Sequence, residues 1–234
     1  PFNIQGLIPS YPEARDVKMS VNMWIIDHPK GLVLYDTGNN VAISDGQCKT
    51  HWAAGLCDFL KPSQKRDDVI DRQLQKLGYK VSDVKIVITS HSHLDHIGNI
   101  EMFPQAIHVL QKKELYQAWW PEKFQRGGAH VLADYDDARD FTYLELEGDY
   151  DLFGDGSVVV LRTPGHTPGH SALLVMLKGM GPVLLSGDLM HFRENYEFNG
   201  VPSFNVDRAA TLGSLSRVKE IARNLKATVV IQHD

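Results

Sequence analysis

Residues 85–96, KIVITSHSHLDH, set three histidines and an aspartate directly behind a short apolar run. A run of this length reads as a buried strand. His91 and His93 stand two apart, and on a chain that stays extended such side chains point the same way. Both imidazoles can then reach one metal ion. Asp95 and His96 follow where the chain is expected to begin turning into a helix, which re-aims them toward a second ion nearby. Imidazole plus carboxylate is a ligand set for Zn2+, and also for Fe, Mn or Co. A lone histidine in a loop is usually only a hydrogen-bonding residue, but H-x-H-x-D-H in this place points to metal.

The same context recurs. RTPGHTPGHS places His166 behind the apolar run 157–163, where Pro164 and Gly165 force a turn. LLSGDLMH places Asp188 at the end of the run 182–188, and VVIQHD places His233 at the end of 227–234. Strands can therefore deliver all of these ligand-type residues to one rim.

Further strands are expected at 21–27, 31–38, 106–110, 141–146 and 171–177. Helices are expected over 66–79, with Val69, Ile70, Leu74 and Leu77 inward, and over 112–120. A third is expected over 207–225, with Ala210, Leu212, Leu215, Val218, Ile221 and Leu225 inward. The segment 41–62 reads as an apolar loop or short helix, and 121–140 as a long loop. This order suggests sheets covered by helices, not an alternating barrel. The 234 residues fit one large domain or two small ones, and no linker divides them, so a single domain over 1–234 is expected.

A net charge of −5 without a long basic run argues against a nucleic-acid partner. No apolar stretch approaches the ~20 residues of a membrane helix, so no membrane insertion is expected. Cys48 and Cys57 read first as two free thiols of a cytoplasmic protein. The alternative is a disulfide in an exported or periplasmic one. The compartment stays open, because Pro1 is not an initiator Met and leaves room for a leader.

Together these motifs resemble the metallo-β-lactamase superfamily, whose usual supporting turn looks like the early D-T-G, Asp36 to Gly38. The resemblance implies an α/β (α+β) fold, an αββα four-layer sandwich with its site at one edge of two sheets. It implies two divalent ions per chain, Zn2+ before Fe, Co or Mn. His91, His93 and His166 would hold one ion, Asp95, His96 and His233 the other, and Asp188 would bridge them.

Class B β-lactamases generally lack that bridging aspartate, whereas lactonases, glyoxalase II-like thioesterases and organophosphate hydrolases have it. The runs GDYDLFGDGSVVVLRTPGHTPGHSALLV and LLSGDLMHFRENYEFNG look most like the N-acyl homoserine lactonase, or quorum-quenching, branch. The implied reaction opens the ring of N-acyl homoserine lactones or similar small-molecule lactones through a metal-bridging hydroxide, with Asp95 as proton shuttle. The alternative is organophosphate or phosphotriester hydrolysis at the same site, and behind it β-lactamase or glyoxalase II-like thioesterase activity.

One position departs from the pattern. The best-known lactonases carry a tyrosine three residues after the bridging aspartate, and here that residue is His191. It either stabilises the developing oxyanion or orients Asp188. Leu94, Trp119, Trp120 and Phe192 are candidates for an apolar substrate groove, although core packing is the commoner role of such residues. His170 reads as a supporting or core residue, and His28, His51, His108 and His130 as structural or exposed. The resemblance leans toward a homodimer, and it predicts a short segment beyond Asp234.

Overall fold

The structure, a computed structural model, describes residues 2–9, 11–121 and 128–234; the part of the expected long loop that falls on 122–127 lies outside them. The chain groups into two compact units. One is formed by Met23–Leu110 and Leu115–Glu145, the other by Pro1–Asn22, Gln111–Glu114 and Leu146–Asp234. The chain begins with β1 (Phe2–Asn3), α1 (Ile4–Leu7) and β2 (Asp16–Val17), with β1 and β2 paired antiparallel.

The Met23–Glu145 unit is built on a five-stranded sheet. β3 (Trp24–His28) and β4 (Gly31–Tyr35) form its hairpin, with His28 opposite Gly31. Four helices follow: α2 (Val41–Ser44), α3 (Cys48–His51), α4 (Ala54–Leu60) and α5 (Ile70–Lys76). β5 (Val84–Ile88) and β6 (Ile107–Gln111) then add in parallel. α6 (Lys112–Trp119) leads on to β7 (Thr142–Leu146) at the sheet's edge. Parallel strands need cover on both faces, which is why Leu32, Val33, Leu34 and Tyr35 are consecutively buried. Ile70 and Leu74 of α5 pack against Leu32, Leu34, Val84, Val87 and Phe103.

The expected single helix over 66–79 is interrupted. Residues 66–68 make a 3-10 turn, and the Asp68 carboxylate accepts the Lys65 N–H at 2.8 Å. Val69 is extended at ψ 145°, and α5 starts only after it. Val69 is buried as expected, but Leu77 is 62 % exposed, because the helix ends at Lys76 and Gly78 turns the chain away at φ 85°.

The two cysteines are not free thiols. Cys48 and Cys57 form a disulfide with their Cα atoms 5.7 Å apart. Ala53, at φ 73°, reverses the chain between α3 and α4 and brings the two within bridging distance.

The other unit carries a second five-stranded sheet: β8 (Tyr150–Asp151), β9 (Val158–Arg162), β10 (Ser171–Leu177), β11 (Gly181–Leu185) and β12 (Thr228–Val230), in the order β12-β11-β10-β9-β8. β9 and β11 both run antiparallel to β10, and β12 runs parallel to β11. β9, β11 and β12 therefore share a direction, and their C-terminal ends fall at the same end of the sheet.

Between β11 and β12 lie α7 (Arg193–Phe198) and α8 (Arg208–Leu225), the latter capped by Asp207, which accepts the Ala210 N–H at 2.9 Å. The buried face of α8 is Thr211, Ser214, Leu215, Val218 and Ala222. This rotates the expected face, since Leu212 and Leu225 are exposed. Small polar residues point inward because loop backbone comes close. The Ser214 hydroxyl donates to the Pro164 carbonyl at 2.7 Å, and a Cβ added at Gly165 would meet the Thr211 nitrogen at 2.3 Å. Among the described residues no helix is long and apolar enough to cross a membrane.

Candidate metal centre

β5 ends at Ile88, and the chain then makes bends and turns that run into a short 3-10 helix, Ile100–Met102, where an α-helix does not form. The N–H groups of His96 and Ile97 both return to the His93 carbonyl, at 2.9 and 3.1 Å. That turn folds the histidines together. The His91 ring lies 4.5 Å from that of His93 and 4.1 Å from that of His96. His91 and His96 are fully buried, while Asp95 is half-buried with Oδ2 3.7 Å from His96 Nε2.

The turn after β4 supports this cluster. Asp36, at φ 62°, accepts hydrogen bonds from the Ser90 N–H (2.7 Å), the Ser90 hydroxyl (2.8 Å) and His96 Nδ1 (2.8 Å). Burial raises its carboxyl pKa, and the neighbouring His96 opposes the rise. The Thr37 N–H donates to the His96 carbonyl at 2.6 Å, and Asn99 Nδ2 donates to the carbonyls of Thr37 and Asn39. Gly98 must be glycine, because a Cβ would meet the Asn40 nitrogen at 2.4 Å.

In the other unit His166, Asp188 and His233 follow the C-terminal ends of β9, β11 and β12. Asp188 does not end the strand, as expected from 182–188, but sits in a 3-10 turn, Gly187–Leu189. Its Oδ2 lies 3.3 Å from His166 Nε2 and 3.2 Å from His191 Nε2, and its Oδ1 lies 3.0 Å from His233 Nε2. The ligand atoms of Asp188, His191 and His233 all fall within 4.8 Å of one another. His170 supports Asp188: its Nδ1 donates to the Thr163 carbonyl (3.1 Å) and its Nε2 accepts the Asp188 N–H (2.9 Å). Buried Glu114 grips the loop carrying His166, accepting from the Thr167 hydroxyl (2.6 Å) and the Gly169 N–H (3.0 Å). Burial holds the His166 pKa well below the usual histidine range, against the pull of Asp188. Burial thus favours its neutral form, the one that binds metal.

The donor chemistry fits divalent metal. His96 Nδ1 donates to Asp36, His166 Nδ1 to Asn205 Oδ1 (2.9 Å) and His233 Nδ1 to the Ser20 carbonyl (2.6 Å). The Ser90 hydroxyl gives its proton to Asp36, so it accepts from His91 Nδ1 at 3.0 Å. Each of these four rings is thereby fixed in the tautomer that puts the lone pair on Nε2, as oriented metal-binding histidines require.

The metallo-beta-lactamase superfamily profile matches residues 17–233. The chain belongs to this superfamily. It is 34% identical to the N-acyl homoserine lactonase AttM of Azorhizobium caulinodans and 35% identical to that of Agrobacterium fabrum. Each match spans 94% of this chain and 83% of the relative. Among solved structures, a quorum-quenching N-acyl homoserine lactone lactonase superposes with a TM-score of 0.82 at 25% identity, covering 100% of this chain and 87% of that one. An AiiA variant of Bacillus thuringiensis with N-decanoyl-L-homoserine at its active site gives 0.83 at 26% identity, covering 99% and 88%. The mixed α/β fold with two sheets is thus the metallo-β-lactamase fold, and the chain is a metal-dependent hydrolase of that superfamily.

The four groove candidates have different surroundings in this hydrolase. Leu94 is buried with Ile43, Cys48 and Trp52. Trp119 packs at the cluster of Ile97, Ile100, Ala118, Tyr135 and Ala138, edge-on to Tyr135 at 5.4 Å. Trp120 is exposed beside Tyr116. Phe192 is buried with Ile4, Leu7, Ile8 and Val17. Phe204, not among the expected groove residues, is 51 % exposed yet edge-on to His166 (5.8 Å) and His191 (5.6 Å). Its only signal in the sequence is an aromatic in the stretch following Asp188. Of the histidines read as structural, His108 is buried and its Nε2 donates to the Phe103 carbonyl at 3.0 Å, whereas His51 pairs with Asp134.

Proposed function

We propose that the chain is an N-acyl homoserine lactonase acting through a pair of divalent ions, with residues 1–234 working as one domain. The observation that carries this reading is the similarity to AttM lactonases across 94% of the chain. The structure bound to N-decanoyl-L-homoserine supports the substrate class.

In this reading His91, His93 and His166 would hold one ion, Asp95, His96 and His233 the other, and Asp188 would serve both. A bound pair of divalent cations would supply polarisation of the lactone carbonyl and a water acidic enough to attack near neutral pH. Asp36, Asn205, the Ser90 hydroxyl and the Ser20 carbonyl keep the imidazoles aimed. Half-buried Asp95 moves the proton to the departing ring oxygen. The 3.2 Å approach of His191 Nε2 to Asp188 favours its orienting role over a direct hydrogen bond to the oxyanion. Phe204 offers an apolar wall beside His166 and His191 for the acyl tail. Leu94, Trp119, Trp120 and Phe192 are the further apolar residues this reading assigns to the substrate. The assembly in this reading is a homodimer.

The test is ring opening followed in a pH-stat with homoserine lactones of several acyl lengths, beside a paraoxon-type triester. Lactones are expected to turn over with the higher kcat/KM. A metal-replete protein that opens no lactone would defeat the reading.

A further inference from the structure

His130 is a buried histidine with no part in the reading above, and it packs against a proposed ligand. The His93 ring has the His91 ring 4.5 Å away at 75° on one approach and the His130 ring 4.7 Å away at 63° on another. His130 is only 8 % exposed and is held from both ends. Its Nε2 lies 3.4 Å from Nε2 of Gln117, an amide nitrogen that only donates, so the ring nitrogen accepts. The ring proton therefore sits on Nδ1 and is donated to the Ser92 hydroxyl at 3.1 Å. Ser92 stands between His91 and His93. One residue on, the Leu94 N–H donates to the Ala129 carbonyl at 2.9 Å. Residues 129–130 are thus fastened to 92–94 at two points.

We propose that His130 is a positioning residue for His93. The Gln117–His130–Ser92 chain fixes both its tautomer and its ring plane. That plane restricts the rotation of His93 by edge-to-face contact. The inference rests on His93 being a metal ligand, as the lactonase reading holds.

The test uses the full zinc-loaded chain with three variants: His130→Ala removes ring and hydrogen bonds, His130→Phe keeps a ring alone, and Gln117→Leu removes one anchor. Zinc affinity is measured by chelator competition, and the visible spectrum of the Co2+-substituted protein reports ligand geometry. The kcat and KM for a homoserine lactone are read alongside. For His130→Ala, metal affinity and kcat are expected to fall about 10–100-fold, with a changed Co2+ spectrum and KM within about twofold. His130→Phe and Gln117→Leu should fall between it and wild type. Wild-type zinc affinity and Co2+ spectrum in the folded variants would overturn the inference alone. A wild-type protein that binds no metal would overturn the lactonase reading and this inference with it.

Discussion

The Asp36 carboxylate accepts a hydrogen bond from His96 Nδ1 at 2.8 Å, and neither side chain is reached by solvent. The same carboxylate holds Ser90 by its N–H and its hydroxyl. One residue therefore sets the aim of His96 and the exit of the chain from β5. Asp36→Asn keeps the shape, tolerates the positive φ and removes the charge. Zinc affinity is expected to fall about 10–100-fold, read by chelator competition. Unchanged affinity would leave Asp36 a purely structural residue.

A second pair, buried Asp134 with half-buried His51, predicts a pH dependence of stability. His51 Nε2 lies 2.6 Å from Asp134 Oδ1. Burial pushes the Asp134 pKa up to about 6, with the His51 hydrogen bond opposing. That same bond raises His51. Glu101, raised chiefly by burial, faces both. All three groups hold protons more tightly folded than unfolded, so stability declines as pH rises. For Asp134 the decline runs from its ordinary 3.8 to about 6, and for His51 from 6.5 through its raised folded value. Thermal melts between pH 5 and 8 should show wild type losing a few degrees more than Asp134→Asn. Parallel profiles would refute the sign.

The disulfide closes a loop around Trp52, whose indole is buried with Ile43 and Leu94. Such a bridge contributes about 2–4 kcal/mol. Reduction should lower Tm on the order of 5–10 °C for a chain of this size. Thiol titration of the denatured, unreduced protein should find no free cysteine; finding two would contradict the pairing.

Phe204 offers a test of where the acyl tail lies. Phe204→Ala should raise KM for a long-chain lactone about tenfold, corresponding to about 1.4 kcal/mol of apolar contact. A short-chain lactone should be affected little, and kcat should hold within about twofold. An equal effect at every chain length would place the tail elsewhere.

The sequence shows where ligand-type residues leave strands, because that signal is local. An apolar run followed by a histidine or aspartate is visible at Ile88, Arg162, Leu185 and Val230 without knowing what pairs with what. The shared direction of β9, β11 and β12 is not visible, since it depends on long-range strand pairing. Helical faces are misjudged for the same reason. Leu212 fits the 3.6-residue period as well as Thr211 does, and only the close approach of the Pro164–Gly165 backbone decides which turns inward. The supporting roles of His130 and Glu114 depend on partners 38 and 53 residues away, Ser92 and Thr167, so spacing along the chain carries no trace of them.

The most direct measurement is the initial rate of homoserine lactone opening as metal-free protein is titrated with Zn2+. The dinuclear account predicts a rate that climbs until two equivalents per chain have bound and then levels off. A rate that saturates at one equivalent, or a metal-saturated protein that leaves the lactone intact, would contradict it.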